Sequence, residues 1–213
     1  MSNTQNKTFL LTPIGIASYP YLTKPDTKFG NKFHTKLNFD ATSGSGAEFV
    51  EMLESLAEAH YQECLKLAQK GKRVKKADLP VINNGDGTVT ITAKLNAEGV
   101  NGKTQQAFTQ RPVIYDEKNR PWDLNTGIFS GFELRLQVEV VPYNTPTLGA
   151  GVSLRLKAVK VEKRVERTSS NPFGSAPQEE VNPFGSAQND DTPSAYSGSY
   201  SGSYDEDTGN GDF

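Results

Sequence analysis

Apolar and polar positions alternate one for one through four stretches of the chain, the period of a half-buried β-strand. In residues 32–39, Phe33, Thr35, Leu37 and Phe39 fall on one face, and Lys32, His34, Lys36 and Asn38 on the other. In residues 88–95, Val89, Ile91, Ala93 and Leu95 point one way, and three threonines and Lys94 the other. Residues 132–140 align Phe132, Leu134, Leu136, Val138 and Val140. Residues 151–161 align Val152, Leu154, Leu156 and Ala158, with Arg155 and Lys157 opposite. Stretches 9–16 and 107–115 alternate more weakly, and Pro112 suits the second to a sheet edge. Asn84-Gly85-Asp86-Gly87 is a tight-turn signal leading into the second strand.

Between the first two strong strands the period lengthens to that of a helix. Phe49, Met52, Leu53, Leu56, His60, Cys64 and Leu67 share one face at this spacing. Ser45 and Glu48 fit a capping box, and early Glu48, Glu51 and Glu54 with late Lys66 and Lys70 suit the helix dipole. Gly71 reads as the stop, and a basic loop of Lys70, Lys72, Arg73, Lys75 and Lys76 follows. Strands and helices do not alternate, which argues against a doubly wound fold. The expectation is an all-β protein: an OB-fold Greek-key barrel of about five strands with one inserted α-helix.

Composition changes the picture at one boundary. The chain has 213 residues and a formal net charge of −2, but Lys and Arg stop at Arg167. Residues 1–167 hold all 23 bases and 17 of the 25 acids, a net of +6, while residues 168–213 carry −8. The final segment repeats Asn-Pro-Phe-Gly-Ser-Ala and Ser-Gly-Ser-Tyr and is rich in Ser, Gly and Pro. Such a composition buries too little apolar area to offset its conformational entropy, so 168–213 is expected to be a disordered acidic tail behind a domain at 1–167. A flexible chain of that length reaches about 35–40 Å, enough to visit a basic groove on the body and compete there with phosphates. The Gly211-Asp212-Phe213 terminus reads as a hook for a partner, with Asp212 and Phe213 as its contacts.

Enzyme chemistry finds little to work with. One cysteine, Cys64, excludes an internal disulfide and a multi-Cys zinc site, and Cys64 reads as a packing residue. His34 and His60 are the only histidines, and 83–88 lacks the Lys and Ser/Thr of a phosphate loop. No metal or cofactor is expected. No run of about 18 apolar residues marks a membrane span, and the first residues lack a secretory pattern.

Binding chemistry is better represented. Binders of single strands combine cations for phosphates with aromatic faces for unstacked bases. Tyr19, Tyr21, Lys24, Lys28 and Phe29 are interleaved, and Lys32, His34 and Lys36 continue along one strand face. Lys94 lies on the polar face of the next strand. Arg111 and Tyr115 occupy another candidate strand, Arg120 and Trp122 the loop after it, Tyr143 a strand end, and Arg155 and Lys157 a shared face. These residues, Arg120 aside, form the expected DNA-contacting set.

The same residues carry a resemblance. Lys24-Pro25-Asp26, Phe29-Gly30-Asn31, Lys36-Leu37, Asn84-Gly85-Asp86-Gly87-Thr88, Val113-Ile114-Tyr115-Asp116, Val141-Pro142-Tyr143, the stretch 149–159 with its Val-Ser-Leu-Arg-Leu strand, and terminal Gly211-Asp212-Phe213 occur in order. Together they resemble the single-stranded DNA-binding proteins of lytic phages of the T7 type. The resemblance implies an OB-fold with an inserted helix, sequence-tolerant binding of single strands in replication and recombination, and no catalysis. It implies a tail whose Phe213 contacts the replicative polymerase and helicase-primase, a homodimer, and residence in the host cytoplasm. It marks Tyr143 as a stacking or groove residue. Asn144-Thr145 follow Tyr143 where the phage type has a Lys-Trp pair, and the tail is less densely acidic. The alternative function is an interaction adaptor that displays Asn-Pro-Phe and terminal Phe peptides.

Overall fold

In the computed structural model the chain divides into two units, Met1–Arg167 and Thr168–Phe213. The structure describes residues 7–42, 44–68, 73–102 and 104–165. The expectations for the acidic tail, its Asn-Pro-Phe repeats, Asp212, Phe213 and the stop at Gly71 lie outside these residues.

The described part is mostly β with one helix. The elements are β1 (Thr8–Leu11), β2 (Gly15–Asp26), β3 (Lys32–Asp40), α1 (Gly44–Leu67), β4 (Val81–Asn83), β5 (Thr88–Asn96), β6 (Glu98–Val100), β7 (Ala107–Thr109), β8 (Val113–Tyr115), β9 (Glu133–Thr145) and β10 (Gly149–Lys163). The main sheet runs β1-β9-β2-β3-β5-β10-β8, and β9 also pairs with β10, so β9, β2, β3, β5 and β10 form a closed circuit. Most pairs are antiparallel, whereas β10 lies parallel to β5 and to β8. β4 adds to β5 through the expected turn at 84–87, and β6 and β7 form a separate two-stranded ribbon.

Alternation explains the core. The inward rows of β3, β5, β9 and β10 meet inside the circuit, where Leu37, Ile91, Leu134, Leu136, Val138, Leu156 and Val161 are wholly buried. A register shift between Leu156 and Ala158 breaks the predicted row in β10. Ala158 is only half-buried, and Val159 and Val161 turn inward instead. One extra residue in a period-2 strand exchanges its faces.

The helix face follows expectation at Phe49, Leu53, Leu56, His60 and Cys64, and departs from it at its edges. Phe49, Leu53, Ala57 and Cys64 are buried, but Met52 is half exposed and Leu67 is 77% exposed. α1 packs on β3, β9 and β10 with Ala57 buried in the core, and apolar Leu67 stands at the helix's last position. Ser45 and Glu48 lie inside the helix, which begins at Gly44, so they do not form its start.

Weak stretch 9–16 is two strands joined by a short link at residues 12–14. Thr12 keeps register across the break, since its amide donates to the Leu136 carbonyl and its Oγ1 accepts from the Leu136 amide, both at 2.9 Å. Stretch 107–115 likewise splits at Pro112. Its second half, β8, lies at the sheet edge, and its first half joins β6 in the ribbon.

Candidate nucleic-acid interface

Strand register gathers many of the predicted contacts into one outward row. Tyr21 is paired with His34, His34 with Lys94, Lys94 with Arg155, and Arg155 with Glu139. Four strands of the circuit therefore place an aromatic ring, an imidazole and two cations side by side. Tyr21 is 43% exposed and stacks on His34 with ring centroids 5.0 Å apart.

Asp26 fixes the near end of this row. His34 Nε2 donates to Asp26 Oδ2 at 3.1 Å, and the Lys28 amide donates to Oδ1 at 3.0 Å. The His34 bond is the main cause holding the Asp26 carboxyl below its usual range, with the Lys28 and Phe29 amides adding to it against burial. The loop so anchored carries exposed Lys28 and Phe29, the latter 73% exposed. Gly30 and Asn31 there adopt positive φ of 89° and 47°. Tyr19, exposed at the bulge of β2, donates its amide to Ser130 Oγ, and Lys36 lies over its ring at 5.9 Å. Lys24 and Lys36 are exposed, and Lys32 is half-buried.

Next to the row lies a groove of about 1020 Å³ lined by Lys94, Arg155, Tyr143, Phe108, Ile82 and Leu148 among others. Tyr143 belongs to β9 rather than ending a strand, and its cross-strand partner is Gly151. A Cβ at Gly151 would lie 2.9 Å from the Tyr143 hydroxyl, so glycine lets the phenol lie down on β10. From behind, His60 Nε2 donates to the Tyr143 carbonyl at 3.0 Å.

Glu139 qualifies the cations. It is 5% exposed, and its Oε2 lies 3.5 Å from Arg155 Nη1 and 3.8 Å from Lys157 Nζ without making a hydrogen bond. Arg155 and Lys157 thus share a loosely held acid that the alternation left unremarked.

Other predicted contacts stand elsewhere. Tyr115 pairs with Lys160 on the far half of β10, and exposed Arg111 precedes that pairing. Trp122 corrects the expectation of an open ring. It is 7% exposed, donates Nε1–H to the Thr126 carbonyl at 2.9 Å, and carries Arg164 over its face at 4.5 Å. Arg120 is engaged by Asp116 at 2.7 Å. Phe108, Ile82 and Leu148 also line the groove without having been marked as contacts, because an apolar residue on a three-residue strand or in a loop carries no sign of what it faces.

Among the described residues, no group of three or more His, Cys, Asp or Glu is placed to hold a metal, and no helix is long and apolar enough to cross a membrane.

Residues 14–163 match the family described as single-stranded DNA-binding protein, bacteriophage T7. The single-stranded DNA-binding protein of Escherichia phage T7 is 27% identical over 173 residues, covering 72% of this chain and 75% of that protein. Its counterpart from Enterobacteria phage T3 is 29% identical over 162 residues, covering 66% and 69%. Among solved structures, the crystal structure of gp2.5, a single-stranded DNA-binding protein encoded by bacteriophage T7, shares the fold with a TM-score of 0.68. It is 23% identical, and the match covers 86% of this chain and all of that one. The single-stranded DNA-binding protein from bacteriophage Enc34 in complex with ssDNA aligns with a TM-score of 0.53 at 15% identity, covering 78% of this chain and 95% of that one.

Proposed function

The chain belongs to the family of the bacteriophage T7 single-stranded DNA-binding protein, and we propose that it coats single-stranded DNA in phage replication and recombination, without sequence preference and without catalysis. The observation that carries this reading is the Tyr21–His34–Lys94–Arg155 row beside the Tyr143 groove. Cations there meet phosphates, which every sequence has, and rings meet base faces, which a duplex keeps stacked. The five-strand circuit is read as an OB-fold barrel with α1 inserted between its second and third strands. Titrating the full chain with a mixed-sequence oligonucleotide and with its duplex tests this. The single strand should bind more tightly, and similar strands of other sequence should bind equally. Preference for the duplex would defeat the reading.

The acidic tail is proposed to weaken binding by competing with phosphates for the body, and to present Asp212 and Phe213 to replication proteins such as the polymerase and helicase-primase. Assembly as a homodimer and residence in the host cytoplasm belong to the same reading. The charge split of +6 and −8 supports the competition. Deleting 168–213 should tighten single-strand binding several-fold at low salt and much less near 1 M, where screening confines charge interactions to about 3 Å. Equal affinity with and without the tail at low salt would refute the competition.

Glu139 is proposed to act in the same sense from within the body. Glu139→Gln keeps the shape but releases Arg155 and Lys157. Affinity for oligothymidine should rise at low salt, because phosphate at Arg155 and Lys157 no longer competes with a buried acid. Unchanged affinity would show that Glu139 does not restrain these cations.

A further inference from the structure

We infer that the β6–β7 ribbon is a base-stacking arm, with Phe108 as a second platform for an unpaired nucleobase. This rests on the single-strand reading above and adds a site to it. Two aromatic residues in the groove are built in the same way. Tyr143 on β9 faces Gly151 across the strand pair, and Phe108 on β7 faces Gly99 on β6. In each case a Cβ on the glycine would collide with the ring, at 2.9 Å from the Tyr143 hydroxyl and at 2.8 Å from Phe108 Cζ. A ring laid on a glycine backbone is held on one side. Phe108 stays 43% exposed, which suits it to stack a base.

The two rings bracket the cations along the strands. Lys94 and Arg155 are register partners on parallel strands. Gly151 precedes Arg155 by four residues, and Gly99 follows Lys94 by five. Tyr143, Lys94, Arg155 and Phe108 all line the one groove. A single strand whose phosphates rest on the two cations therefore meets a ring toward each end.

The ribbon is tied down at its base. The Ala97 amide donates to the Asn31 carbonyl at 2.9 Å, and Asn31 Nδ2 donates to Glu98 Oε1 at 2.8 Å. Gln110 closes the other leg, with its amide donating to the Ala97 carbonyl at 2.8 Å and its Nε2 to the Asn96 carbonyl at 2.9 Å. The arm is thus anchored to the loop that carries Lys28 and Phe29. A duplex base is already stacked on both faces, so a Phe108 platform favours single strands.

An aromatic packed over a cross-strand glycine also stabilises a ribbon by itself, and the test must separate the two roles. The full chain and its Phe108→Ala and Phe108→Trp variants are titrated with an oligothymidine and with the same oligonucleotide carrying abasic sites. Phe108→Ala should weaken oligothymidine binding by about 5- to 150-fold, the range for loss of one stacked base. The salt slope should not change, because no phosphate contact is lost. Phe108→Trp should restore binding. On the abasic strand the Ala penalty should vanish, since no base is left to stack. An equal penalty on both strands would make Phe108 a structural residue, and wild-type affinity in the Ala variant would remove the arm, each overturning the inference. Should the unsubstituted chain fail to prefer single strands, the underlying reading falls, and the arm with it.

Discussion

Replacing Lys94 and Arg155 together by Gln is expected to weaken single-strand binding about 25-fold at 0.1 M salt, with little effect near 1 M. Each phosphate neutralised on a single strand contributes about 0.7 to the slope of log K against log salt. Two such contacts supply a slope of about 1.4, and a tenfold drop below 1 M salt converts this to roughly 25-fold. The residues are well placed to act together, since they are register partners on the outer face and both are exposed. Titrating oligothymidine across a salt series separates this from misfolding. The variant's line should be shallower and meet the wild-type line near 1 M. Parallel lines would mean that neither cation touches phosphate.

A neighbouring position on the same strand should behave in the opposite way. Leu156 follows Arg155, points inward and is wholly buried against the core of the circuit. Leu156→Ala should cost about 2–5 kcal/mol, from lost transfer energy and the cavity left behind. A domain of this size loses roughly 2–4 °C of Tm per kcal/mol, so the midpoint should drop by about 4–20 °C. Thermal unfolding followed by circular dichroism measures it. Below the transition the variant should bind oligonucleotides normally, because the outward row is unchanged. A wild-type midpoint would place Leu156 outside the core and contradict the register of β10 with β9. Adjacent residues on one strand thus divide stability from binding, as the period of two requires.

Legibility in the sequence followed the strength of the local pattern. β3 and β5 were plain because each keeps strict alternation and one face is buried along its whole length. β2 was largely hidden. Pro20 and Pro25 interrupt it, and Tyr19 and Tyr21 stand outward where apolar residues usually mark the inner face. The edges of the α1 face were not legible, because residue spacing alone does not say where a helix meets its neighbours, and Ala57 carries little hydrophobic signal. β7 showed only as the weak first half of stretch 107–115, and β6 left no trace, since a three-residue ribbon exposed on both sides has no reason to alternate.

The interface was legible in kind but not in arrangement. Composition announced cations and rings, yet it could not distinguish Tyr143, lying in the groove, from Trp122, enclosed beneath Arg164. A lone tryptophan near a basic residue looks the same in either role. Glu139 read as one acid among many, and only cross-strand register set it between Arg155 and Lys157. Phe108 did carry a faint signal. It is the one large apolar residue in Gln105-Gln106-Ala107-Phe108-Thr109-Gln110-Arg111, with no neighbour to share a core.

On the proposed reading a single strand lies across the Tyr21–His34–Lys94–Arg155 row and into the groove between Tyr143 and Phe108. Photochemical cross-linking of oligothymidine to the full chain, followed by peptide mapping, tests it most directly. Adducts should concentrate on the peptides holding Tyr21, Tyr143 and Phe108, and should fade as salt displaces the strand. Adducts confined instead to the exposed apolar strip of Phe9, Leu11 and Ile16, or to α1, would contradict it.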